Sequence, residues 1–127
     1  MNTGSRIFML AGSAGLVLLL GLPLLLSPMT WGRRLGWRIP DQTQFANYLG
    51  RSLGGVALSI AIVGFQAARD PWANRSVFDL IILIGIFMTI VHAYGFITRA
   101  QPWFENLEVL LYPLVSIGAW LFYPHQV

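Results

Sequence analysis

The stretch Gly50 to Ala68, GRSLGGVALSIAIVGFQAA, decides how this chain folds. Gly50, Gly54, Ala57, Ala61, Gly64 and Ala68 recur in it at steps of four and three. At about 100° of turn per residue, all six fall within an arc of roughly 80° on a helix. Lipid tails are as apolar as leucine, so the hydrophobic effect does not drive helices together inside a bilayer. Close backbone approach does, and small residues permit it. The pattern therefore predicts helix packing along this stripe. A second face of the same segment carries Ser52, Gly55, Ser59 and Gln66, which predicts a helix with two neighbours.

Outward from this segment the composition is that of an integral membrane protein. Of 127 residues, 56% are hydrophobic and only 10% charged, which leaves too little polar surface for an ordinary soluble domain. The expected fold is all-α, a single four-span transmembrane bundle over residues 1–127. The spans are expected at 7–26, 48–68, 78–98 and 107–123. The first is twenty residues long with Ser13 as its only polar side chain, enough for about 30 Å of hydrocarbon. Its apolar run continues through Pro23 to Leu26 and shows no small-residue cleavage site, so it is expected to be retained as a span. The third opens with Ser76 and Asp79 at capping-box spacing. The fourth is the shortest and contains Glu108 and Pro113. The connection 27–47 mixes Trp31, Trp37 and Phe45 with Arg33, Arg34 and Arg38, a composition suited either to the headgroup layer or to an ordinary loop.

Cysteine is absent, which excludes disulfides, thiolate metal sites and thiol nucleophiles. All eight cations are arginine, and the net charge of +3 is spread over several loops. No basic block points to nucleic acid; lipid headgroups are the expected partner of these arginines. Loops one and three, counted with Arg51, hold five arginines against three for the N-terminus and loop two. This excess places loops one and three in the cytoplasm and both termini outside, in a bacterial inner membrane.

Two further segments divide into faces. On the third, Gly85, Thr89, His92 and Phe96 are expected inward, and Leu83, Ile86, Phe87, Ile90 and Tyr94 toward lipid. On the fourth, Glu105, Glu108, Tyr112, Ser116, Ala119 and Tyr123 line one side, and leucines with Ile117 line the other. A polar side inside a membrane turns to protein or water. Alternating topology brings Arg51, His92, Glu105 and Glu108 to one half of the bundle. Arg51 and Glu108 are the expected ion pair, either fixing helix register or forming the polar floor of a ligand site. His92 is read as a hydrogen bond to a neighbouring helix, as a ligand-contacting or proton-transferring group, or as an axial haem or chlorophyll ligand. His125 falls at the opposite face. No metal centre is expected, because His92, Glu105 and Glu108 are only three candidate ligands without a recognisable spacing. Nucleotide-binding, nucleophile-elbow and zinc-protease motifs are missing, and the residues name no catalytic group and no cofactor.

Leu49-Gly50-Arg51, His92-Ala93-Tyr94-Gly95 and Gln101-Pro102-Trp103 resemble segments of the small four-helix bacterial membrane proteins of the DoxX-like and BphX-like kind. The resemblance implies a membrane bundle, with a link in some members to quinone-coupled oxidation or to aromatic-compound gene clusters, and it transfers no catalytic residue. The expected function is therefore non-enzymatic. The chain would act by association, with itself or as an accessory subunit of a larger membrane complex. The alternative is a binder of a lipophile such as a quinone, through Arg51, His92, Glu108 and Tyr112. A pigment- or haem-binding subunit through His92 is the third reading.

Overall fold

Pro23 shapes the first helix. Proline lacks the N–H that an interior helical position donates, and its ring crowds the carbonyl four residues back. The turn before it widens: Val17–Gly21 is π-helical, and the N–H of Leu22 reaches the carbonyl of Val17. The result is one continuous helix, α1 (Thr3–Leu26), in a computed structural model that describes residues 2–125. The described chain is all-helical. After α1 come the short α2 (Pro28–Arg34), then α3 (Gln44–Ala67), α4 (Arg75–Ile97), a 3-10 turn (Trp103–Leu107) and α5 (Glu108–Leu121). Three of these, α1, α3 and α4, are long and apolar enough to cross a membrane.

The helices form two antiparallel pairs. In the first, the small stripe of α3 lies against α1. A Cβ added at Gly54 would run into the backbone of Leu25 and come within 2.9 Å of the Gly21 carbonyl oxygen. At Gly64 it would strike Ser13, and at Gly50 the ring of Pro28. Ala57 and Ala61 between them are buried. The opposite face of α3 is open: Ser52, Ser59 and Gln66 are exposed, and a Cβ at Gly55 would meet nothing within 4 Å. The expected second neighbour for α3 is thus not supplied at this face by the chain itself.

In the second pair, Gly85 of α4 faces α5. A Cβ there would meet Ser116 and lie 2.9 Å from the Tyr112 carbonyl oxygen. Ser116 Oγ donates to the Ile82 carbonyl at 3.0 Å, tying the helices together at the same level. The expected faces of α5 are observed, with Glu105, Tyr112, Ser116 and Ala119 inward and the leucines outward. On α4, Gly95 occupies the inner face where Phe96 was expected; Phe96 is exposed.

The two pairs share a core at one end. Phe8 of α1 stacks on Phe78 and on Phe122, with centroids 6.2 and 5.7 Å apart, and Phe78 meets Tyr123 edge-on at 5.9 Å. Met9, Ala67, Ala68 and Ala119 complete this cluster. Arg6 donates to the Ala68 carbonyl at 3.1 Å, placing a cation at the C-terminal end of α3 where the helix dipole favours it. Asn2 and His125 exchange hydrogen bonds, so both ends of the described chain lie here. The capping box expected at Ser76 and Asp79 does not form. Asn74 holds the N-cap position of α4 without a side-chain bond, and Asp79 instead accepts from the Tyr123 hydroxyl at 2.9 Å.

Candidate functional site

At the other end of the molecule, two helix terminations of the same kind build a polar cluster. Helix α2 stops in a Schellman motif. Gly36 takes the left-handed conformation, φ 88°, its N–H bonds the Arg33 carbonyl, and the N–H of Trp37 bonds the Gly32 carbonyl. This turn holds Gly36 against Pro102 and aims the Trp37 indole across to the 3-10 turn. Helix α4 stops likewise. Arg99, φ 54°, takes the left-handed position, with Arg99 N–H on Phe96 and Ala100 N–H on Gly95. The chain then reverses. Gln101 packs over Gly95 and donates to Asn106 Oδ1 at 3.0 Å.

That reversal sets the carboxylates. Positions three apart on a 3-10 turn lie one above the other. Glu105 within the turn and Glu108 at the start of α5 therefore project together toward α4. His92 faces them. Its Nε2 lies 2.9 Å from Glu108 Oε2 and 3.6 Å from Glu105 Oε2. Its Nδ1 lies 2.9 Å from the Met88 carbonyl oxygen, which only accepts, so Nδ1 carries a proton and donates it. Trp37 Nε1 donates to Glu105 Oε1 at 2.9 Å, fixing that carboxylate from a separate segment. The Tyr112 ring packs on the imidazole with centroids 4.9 Å apart. His92 and Glu105 are buried and Glu108 is partly buried.

The electrostatics follow from the tautomer. With Nδ1 protonated, a neutral His92 presents an Nε2 lone pair to two carboxyl groups. Lone pair against carboxylate oxygen at 2.9 Å is repulsive unless a proton or a metal cation sits between them. A proton or a cation therefore bridges His92 and the carboxyl groups, which three chain segments hold in place.

No family model, curated protein or solved structure matches the chain. The site must be read from its own geometry.

Of the residues expected at a ligand site, His92, Glu108 and Tyr112 are brought together. Arg51 is not. Among the described residues the ion pairs of Glu108 and Glu105 are with His92, and Arg51 lies exposed on α3 beside Gln44, Asn47, Tyr48 and Ser52. The physical reason is register. Gly50 must face Pro28 at the start of α2, and one residue on, about 100° around the helix, Arg51 points away. Lying at the same end of the helices did not give it a shared face. Glu105 and Trp37 join instead. Glu105 was legible as a neighbour of Glu108 at i, i+3. Trp37 carried only a composition signal, and its reach depends on the Gly36 turn. His125 lies at the far end, as the alternation of spans implied. Nε2 of His92, the atom that an axial haem ligand would offer, is directed at the carboxylates. The three residues set aside as metal ligands for want of spacing place one donor atom each within 4.8 Å of one another.

Proposed function

We propose that the chain is an integral membrane protein of four spans, α1, α3, α4 and α5, that works by association, as a homo-oligomer or as a small subunit of a larger membrane complex. The observation that carries this reading is the open second face of α3. Small and polar residues that form helix interfaces inside bilayers sit there without a partner among the described residues, while the stripe on the other face packs on α1 and on Pro28 of α2.

Support for the membrane comes from what faces outward. Among the described residues, five of the eight buried hydrophobic ones are alanines (Ala57, Ala61, Ala67, Ala68 and Ala119), whereas Leu18, Leu19, Ile62, Phe87, Ile90, Leu110 and Leu114 are more than half exposed. In water that surface would be a large uncovered apolar patch. In lipid it is the natural exterior. The 3-10 turn and α5 together rise about 31 Å, sufficient for a fourth crossing. In this reading loops one and three are cytoplasmic, in a bacterial inner membrane, and the likeness to DoxX-like and BphX-like proteins is one of architecture.

A second reading, a quinone-like lipophile, would use a shallow cleft of about 500 Å³ on the same chain reversal, lined by Phe96, Ile97, Arg99, Gln101, Trp103 and Asn106 and not by His92, Glu108 or Tyr112. Arg51 has no part in it.

The test is disulfide cross-linking in native membranes, which the cysteine-free chain allows. Ser59→Cys is expected to cross-link to a second copy, or to leave the chain in a stoichiometric complex on gentle purification. Ile90→Cys, on the lipid face of α4, is expected to do neither. A chain that purifies alone and uncross-linked in both variants contradicts association, and a lipophile extracted with it supports the second reading.

A further inference from the structure

We propose that His92, Glu105 and Glu108 bind a divalent first-row transition-metal ion. Donors about 2.1 Å from a metal lie about 3.0 Å apart as octahedral neighbours and about 3.4 Å apart in a tetrahedron. The observed separations from Nε2, 2.9 and 3.6 Å, bracket those edges, and the three donors span up to 4.8 Å, so the carboxylates close on an ion by a small side-chain movement. A hydrogen bond alone would account for the shorter one. The longer one is beyond hydrogen-bond reach, and there a second carboxylate oxygen, held by Trp37 through its other oxygen, converges on the same nitrogen.

The surroundings of each donor fit the same ion. A metal-binding imidazole almost always donates its other N–H to a carbonyl or carboxylate, which fixes the ring and frees the ligating lone pair. His92 does this through Nδ1 and Met88. A ligating carboxylate is in turn held by a donor on its other oxygen. Trp37 Nε1 holds Glu105 Oε1 and leaves Oε2 directed at His92. Charge agrees. A divalent cation with neutral His92 and two carboxylates is a neutral ensemble, whereas without it neutrality in this largely buried place takes two protons shared among the three side chains. One imidazole and two carboxylates suit zinc, manganese or iron(II), and are too hard for copper(I). Three protein donors leave at least one coordination position for water or a small ligand.

The experiment is a titration of the tag-free, detergent-purified chain with Co²⁺ after treatment with a chelator, followed by visible d–d absorption and by thermal unfolding. The expected result is saturation at one Co²⁺ per chain, reversal by Zn²⁺, which binds such sites more tightly, and a raised unfolding temperature. Glu105→Gln and Glu108→Gln, which keep size and shape, are expected to weaken binding by at least tenfold, roughly the scale of lost ligand-shell interactions. Trp37→Phe is expected to weaken it about tenfold without changing stoichiometry. His125→Ala is expected to bind as the unaltered chain does. Failure of the unaltered chain to bind Co²⁺ saturably overturns the proposal and leaves the cluster to a proton; that arm needs no variant to fold. Saturable binding that both glutamine variants retain at full strength overturns it as well.

Discussion

The α1–α3 and α4–α5 pairs use glycine alike and differ in what surrounds it. Gly54 meets the backbone of α1, and Gly85 meets the backbone of α5. Along α3 the rest of the contact is mostly alanine and glycine, with Leu58 over Gly21, and no charged side chain of α3 enters it. Along α4 the contact changes character toward one end, where Gly85 gives way to His92 and then to the carboxylates of the 3-10 turn. The first pair is packing throughout. The second is packing at one end and chemistry at the other. A close helix interface thus serves as the rigid base on which the second pair positions a polar site.

Substitutions that separate packing from chemistry sharpen this contrast. The largest effect is expected from Gly54→Leu. The new side chain collides with main-chain atoms of α1 that have nowhere to move, so the loss should reach about 3 kcal/mol or abolish folding, read by thermal unfolding in detergent. Gly55→Leu, one residue on, should leave unfolding of the single chain within about 0.5 kcal/mol, because nothing lies there to be displaced. Equal losses at the two positions would break the distinction between the faces of α3. Trp37→Phe should cost about 1.5 kcal/mol, the scale of a hydrogen bond to a charged group, while Trp31→Phe, whose indole N–H is buried without a partner, should not lose stability from that source. The smallest effect is a gain. Arg99 occupies a left-handed position suited to glycine, so Arg99→Gly should raise stability by about 0.5–1 kcal/mol in the same assay.

The packing half of the fold was legible because helical periodicity is local. Gly50 through Ala68 and the two faces of α5 repeat every three to four residues, and that repeat fixes which side faces in. The chemical half was legible only in part. Alternating spans placed His92, Glu105 and Glu108 at one end, since topology needs only span counting. Which of the cations at that end would reach Glu108 depended on helix rotation, and Arg51, adjacent to a glycine that must face Pro28, was rotated out of reach. Trp37 and Glu105 met through two Schellman turns, one at Gly36, where glycine announces it, and one at Arg99, where nothing in the residue does. The missing capping box has a similar cause, because Asp79 found a stronger long-range partner in Tyr123 than its own helix offered.

The partner of Glu108 decides whether this polar site exists, and a pair of double-mutant cycles tests that partnership most directly. The cycles compare His92→Leu with Glu108→Leu, and Arg51→Leu with Glu108→Leu, by unfolding in detergent. His92→Leu and Glu108→Leu are each expected to cost about 3 kcal/mol, since each leaves a largely buried group without its partner. Their double mutant should cost clearly less than the sum, with a coupling above about 1 kcal/mol. Arg51→Leu should be nearly neutral and additive with Glu108→Leu within about 0.5 kcal/mol. Strong coupling of Glu108 to Arg51 and none to His92 would contradict the site described here.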